Sequence, residues 1–122
     1  MVLVDTSVWV RFLREGDSLL SDLLKEGKVL THPFIIGELR LGNIPKRHHF
    51  LRLIEDLPQA IQATHNEVTY LIEENKLYGK GIGYIDTHIL ASSMLSTIPL
   101  WTLDKRLDAI SKNHGRSETK MA

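Results

Sequence analysis

The sequence predicts an α/β domain: a parallel sheet covered by helices on both faces. Three observations predict it. Short apolar runs rich in β-branched residues, Val2 to Val4 the clearest, lack the alternation of a half-solvated strand and read as inner parallel strands. Between such runs, apolar residues recur at helical spacing. Gly, Pro and capping residues punctuate the joins, so strands and helices alternate along the chain.

Each element follows from local chemistry. Val2 to Val4 is the first strand. Thr6 or Ser7 is placed to cap the next helix, which carries Val8, Trp9, Phe12 and Leu13 on one face and ends at Gly16. Asp17 or Ser18 caps a second helix striped by Leu19, Leu20, Leu23 and Leu24 and stopped by Gly27. Val29 to Thr31 reads as a second strand. Pro33 suits the first turn of a third helix, and Gly42 closes it. Pro45 opens a fourth, basic on one side (Lys46, Arg47, Arg52) and apolar on another (Phe50, Leu51, Ile54). Pro58 to Ala63 is assigned a third strand. Asn66 is expected to cap a helix bearing Val68, Leu71 and Ile72, broken by Gly79, Gly81 and Gly83. A helix from Tyr84 to Leu95, a strand from Pro99 to Leu103 and a last helix from Asp104, with Leu107 and Ile110 inward, complete the series. The domain is expected to span residues 1–112, with a polar tail over 113–122.

Composition narrows the function classes. The 122 residues suffice for one hydrophobic core and not for two, and 43% hydrophobic with 25% charged residues is an ordinary globular balance. The absence of Cys excludes a disulfide scaffold and thiolate metal sites. A net charge of +0 provides no global field toward nucleic acid or membrane, though local basic patches remain open. No apolar run has the length of a membrane span, and the chain starts directly on strand-like residues, with no room for a signal peptide. The expectation is a cytoplasmic protein.

Ligands of parallel α/β folds bind beyond the carboxyl ends of the strands. Asp5 and Asp104 each follow an apolar strand and therefore point to one end of the sheet. Two further acids keep apolar company. Glu38 shares a helix face with Phe34, Ile35 and Leu41, and Asp86 shares one with Ile89, Leu90 and Ser93. Gathered together, these carboxylates would repel: two unit charges about 5 Å apart cost roughly 3 kcal/mol at an effective dielectric of 20. A divalent cation offsets that repulsion better than helix N-termini do. Oxygen ligands without Cys suit Mg²⁺ or Mn²⁺, which keep waters and accept phosphate oxygens. The chemistry indicated is metal-assisted phosphodiester hydrolysis. Each acid taken alone reads equally well as a helix cap or a solvated edge; the weight lies in their coincidence at one location.

Four segments carry a family resemblance: "LVDTSVWVRFLR", "IIGELRLG", "GYIDTHILAS" and "PLWTLDKRL". In this order and spacing, over residue 1 to about 112, they resemble the PIN domain, specifically the VapC-type toxin ribonucleases of toxin–antitoxin pairs. The resemblance implies an α/β/α sandwich around a parallel sheet and Mg²⁺-dependent cleavage of RNA, with Mn²⁺ as a substitute. The family's acids fall on Asp5, Glu38, Asp86 and Asp104. By this account Asp5 and Asp86 hold the metal, while Glu38 and Asp104 complete an acidic cup. A small hydroxyl near the first acid falls on Thr6 or Ser7, and the Thr of the fourth motif is Thr102; both would orient Asp5 or a metal-bound water. The resemblance further implies a VapB-type antitoxin as partner and a homodimer. Little apolar sequence follows Asp104, so a final strand present in many members is expected to be short or missing.

The remaining polar residues divide by position. Lys105 and Arg106 are the best RNA-contact candidates because Asp104 anchors them. The basic residues of the fourth helix, and Lys76 and Lys80, read more simply as solvated surface. His48 and His49 lie about 100° apart on a helix and do not share one ion. His88 faces away from Asp86, and His32, His65 and His114 have no partner pattern. Trp9 and Trp101 belong to the core. A nucleophilic-Asp phosphatase would want an acid where Ser7 stands. A non-catalytic RNA-binding module of the same fold is the alternative, and it would need no four-acid cluster.

Overall fold

The computed structural model describes residues 1–113. The strands are β1 (Val2–Val4), β2 (Val29–Leu30) and β3 (Leu100–Trp101), and the helices are α1 (Thr6–Glu15), α2 (Ser18–Lys25), α3 (Pro33–Arg40), α4 (Arg47–Glu55), α5 (His65–Glu74), α6 (Tyr84–Ser96) and α7 (Lys105–Asn113). The sheet is parallel with order β2-β1-β3. Its central strand is the chain's first, which explains why Val2, Leu3 and Val4 are all fully buried: both faces of an inner parallel strand meet helices. The helices associate in two sets, α1 with α3 and α3 with α4, then α5 with α6 and α6 with α7. This is the three-layer α/β/α arrangement expected.

Register positions the loops. Val4 pairs with Trp101, and the Asp5 N–H donates to the Trp101 carbonyl. Asp5 and Thr102 therefore leave neighbouring strands side by side. Trp9 fills the core below them, edge-on to Phe12 and Phe50 at 5.8 and 5.7 Å between ring centroids. Trp101 is buried as well, as expected for both tryptophans.

Several boundaries differ from expectation for identifiable reasons. The strand expected over Pro58 to Ala63 is a single parallel bridge, Thr31 to Gln59. Thr31 N–H donates to the Pro58 carbonyl and Ala60 N–H to the Thr31 carbonyl; Pro58 has no N–H, and ladder pairing goes no further. The cap of α5 is Thr64 rather than Asn66: its hydroxyl accepts from Glu67 N–H and the Glu67 carboxylate accepts from Thr64 N–H, a reciprocal capping box. Neither Thr6 nor Ser7 caps α1; the N-cap position is Asp5. Asp17 caps α2 as expected and also pairs with Arg11 at 2.7 Å. No strand follows β3 among the described residues, so the sheet stops at three strands there. The expected tail lies outside the described residues, apart from Asn113 at the end of α7.

His32 was assigned no role by its sequence surroundings, yet it caps α3. Its Nδ1 accepts from Phe34 N–H at 3.0 Å, which places the imidazole proton on Nε2, a buried atom without a partner among the described residues. Burial first, and the nearby His88 second, lower its pKa from 6.5 to about 4. Protonation would cost the cap and put a cation at the positive end of a helix. The neutral ring favours the fold, so its contribution is complete above pH 6.5 and is lost as the pH falls toward about 4. Urea denaturation should show stability declining across that window. His32→Asn, which keeps a capping acceptor without a titrating ring, should flatten the decline; an unchanged slope would remove His32 as its source.

Candidate active site

Asp5 sits at the N-cap position of α1, but its side chain accepts no capping hydrogen bond from that helix. The carboxylate turns toward β3 instead. Its Oδ2 accepts from Ser7 Oγ and from Thr102 Oγ1, both at 2.8 Å. Asp5 and Thr102 are 6% and 1% exposed, so the network is shielded from competing water. Each hydroxyl is pinned in turn: Ser7 Oγ accepts from Leu103 N–H and Thr102 Oγ1 from Asp104 N–H. The sequence left Thr6 or Ser7 as alternatives; Ser7 takes Asp5, and Thr6 donates to Glu38 Oε1 at 2.7 Å. Because both hydroxyls converge on Oδ2, Oδ1 is left without a hydrogen bond among the described residues.

Asp104 does act as a cap. Its Oδ1 accepts from the N–H groups of Arg106 and Leu107 in the first turn of α7. Asp86 also serves its own helix, with Oδ2 accepting from Gly83 N–H at 3.2 Å. Structural and chemical roles therefore coexist in these two acids. Burial raises the pKa of Asp86, the Gly83 N–H opposes that, and the charges of Asp5 and Asp104 add to the rise. Three acids from distant parts of the sequence thus share one electrostatic neighbourhood, at the carboxyl end of β1 and β3. Glu38 is exposed on α3 and is tied to α1 by Thr6; its charge is not among those that act on Asp86.

The donor set fits a hard divalent cation that keeps part of its water shell. An unbonded Asp5 oxygen, and an Asp86 whose charged form is disfavoured by burial and then by its neighbours, are donors that would suit such a cation. Among the described residues, no three His, Asp or Glu side chains are gathered tightly enough to hold a metal by themselves, so waters or substrate oxygens must complete the shell. The histidines stay out of it. His88 is buried edge-on to Phe34 and Tyr84, at 5.0 and 4.7 Å between ring centroids; burial first and His65 second lower its pKa. His48 and His49 are exposed on α4. Lys105 and Arg106 are exposed beside Asp104.

An apolar cavity of about 370 Å³ adjoins the Glu38 side, lined by Thr6, Val10, Leu13, Glu38, Leu39 and Ile44 among others. Val10 is 47% exposed, an apolar side chain left to water on a helix that leads to Asp5.

Comparison with known proteins agrees with this geometry. The PIN domain family model matches residues 2–113. Ribonuclease VapC32 of Mycobacterium tuberculosis, strain CDC 1551 / Oshkosh, is 41% identical over 116 residues, covering 94% of each chain. Ribonuclease VapC32 of strain ATCC 25618 / H37Rv matches to the same extent.

Since Asp86 is more easily ionised when its acidic neighbours are neutral, its charge works against the fold above its raised pKa. In chelator at neutral pH, Asp86→Asn should raise the melting temperature by several degrees, on the order of 4 °C per kcal/mol relieved. Asparagine keeps the Gly83 hydrogen bond. A differential-scanning measurement giving an equal or lower melting temperature would contradict a strained acidic centre.

Proposed function

This chain belongs to the PIN domain family, and on that premise we propose that it is a metal-dependent endoribonuclease, the toxin of a toxin–antitoxin pair. The observation that carries the proposal is Asp5: a buried carboxylate that leaves its own helix uncapped and is fixed by two hydroxyls from opposite ends of the chain. A solely structural acid at this position would cap α1. A non-catalytic RNA-binding module would have no use for Asp5 and Asp104 placed where their charges act on Asp86.

In this proposal Asp5 and Asp86 hold Mg²⁺, with Mn²⁺ as a substitute, and Glu38 and Asp104 complete the acidic cup. Bound there, such an ion lowers the pKa of a water and stabilises charge building on the phosphodiester. The protein's share is positioning. Ser7 and Thr102 fix the Asp5 carboxylate in one orientation, leaving one oxygen free to ligate. Thr6 holds Glu38 toward the same centre, where it can orient an attacking water. Asp104 ties the first turn of α7, and with it Lys105 and Arg106, to the rim where RNA phosphates arrive.

The proposal extends to a VapB-type antitoxin and to a homodimer. The apolar cavity beside Glu38 would seat an antitoxin segment running to the acidic mouth. No helix among the described residues is long and apolar enough to cross a membrane. Light scattering of the chain alone, and after co-expression with its genomic neighbour, checks both associations by mass.

Incubation with cellular RNA and Mg²⁺, followed by sequencing of the new RNA ends, tests the activity. Discrete cleavage is expected for the parent chain and none for folded Asp5→Asn or Asp86→Asn. Ser7→Ala and Thr102→Val should each slow cleavage by about 10–100-fold, the usual effect of losing a group that orients a metal ligand. Undiminished cleavage by folded Asp5→Asn would refute the assignment.

A further inference from the structure

Arg106 combines three features that surface cations rarely share. It stands two residues after Asp104 in the first turn of α7, with its N–H held by the Asp104 carboxylate at 2.9 Å. It is exposed and forms no ion pair among the described residues, although an acidic centre lies beside it. And its side chain has a fixed bed. It lies across Gly81, where a Cβ would stand 2.8 Å from Arg106 Cδ and Nη1 and 3.1 Å from Cζ. Gly81 has φ +80°, a conformation that favours glycine in any case, and the arginine occupies the space a side chain would need.

Both ends of this contact are tied to acids. Arg106 is anchored through Asp104. Gly81 lies two residues before Gly83, whose N–H is bound by Asp86. The guanidinium is thereby held at the rim of the acidic centre without being neutralised by it. A planar cation with five donors, backed by Gly81 at Cδ and along one side of the guanidinium and without an ion pair among the described residues, suits bidentate capture of a phosphate. An RNA backbone approaching Asp5, Asp86 and Asp104 is repelled, and a cation at this rim counters the repulsion where it is strongest.

We propose that Arg106 grips a backbone phosphate of the RNA next to the bond that is cut, and that Gly81 is the positioning residue that aims it. The inference rests on the ribonuclease reading for its substrate. It concerns binding, so it can be tested apart from cleavage.

The test measures binding of a fluorescein-labelled single-stranded RNA of mixed sequence by anisotropy, in chelator, across a salt series. The proteins are the parent chain, Arg106→Ala, Arg106→Lys, Gly81→Asn and the double variant Gly81→Asn with Arg106→Ala. Asparagine tolerates positive φ better than other side chains, so it adds the Cβ with least backbone strain. Arg106→Ala should weaken binding about tenfold and reduce the salt slope by roughly one phosphate contact. Arg106→Lys should restore the slope but only part of the affinity, because the fork is lost. Gly81→Asn should weaken binding in the parent background and have no further effect once Arg106 is alanine. In cleavage assays with Mg²⁺, Arg106→Ala should raise KM more than it lowers kcat.

Unchanged affinity and slope in folded Arg106→Ala would overturn the phosphate grip. A Gly81→Asn effect of equal size in both backgrounds would overturn the positioning role. A parent that binds RNA through Arg106 yet never cleaves it would sink the ribonuclease reading and leave the phosphate grip and the role of Gly81 standing. A parent that cleaves while Arg106→Ala binds and cleaves equally well would do the reverse.

Discussion

The gathering of Asp5, Asp86 and Asp104 at one end of a parallel sheet is the constraint around which the rest of this molecule is arranged. Asp5 leaves the central strand, Asp104 follows the neighbouring strand by way of Thr102, and Asp86 enters from the first turn of α6. Burial raises the pKa of the third, and the charges of the first two add to that rise. A fold that only needed capped helices would not accept this cost. The fold accepts it and surrounds Asp5 with fixed hydroxyls, which makes the acidic centre an organised feature.

The backbone explains how distant residues meet. β1 is short, and it is flanked in register by β2 and β3, so the residues after Leu30, Val4 and Trp101 emerge at one edge. From that edge α3 carries Glu38, α1 carries Thr6 and Ser7, and α7 carries Arg106. The glycine-rich segment before α6 closes the other side, with Gly83 bound to Asp86 and Gly81 beneath Arg106. Negative charge at the centre stands beside an exposed cation, Arg106, packed on Gly81. On the proposed reading, the centre would draw a metal and the rim the phosphate that accompanies it.

Much of this was legible in the sequence. The fold class followed from apolar β-branched runs separated by helical stripes. The acids stood out because Asp5 and Asp104 follow strands and Glu38 and Asp86 lie beside apolar faces. Other features were hidden for physical reasons. Whether Thr6 or Ser7 served Asp5 depended on rotamers and on the register of β1 with β3, which no local pattern encodes. Thr64 rather than Asn66 caps α5, and the signal was present: a Thr with Glu67 three residues on is the capping-box spacing. His32 gave no signal, because an imidazole capping a helix from a buried position needs the tertiary contacts that exclude water around it. The bed that Gly81 makes for Arg106 joins residues far apart in the chain and was equally out of reach.

The central claim is that these carboxylates form one centre that takes up a divalent cation. Calorimetric titration of Mn²⁺ into the metal-free chain tests it most directly. Saturable uptake by the parent, lost in Asp5→Asn and in Asp86→Asn while both remain folded, is the result the account predicts. A parent chain that takes up no cation, or variants that take it up as the parent does, would contradict it.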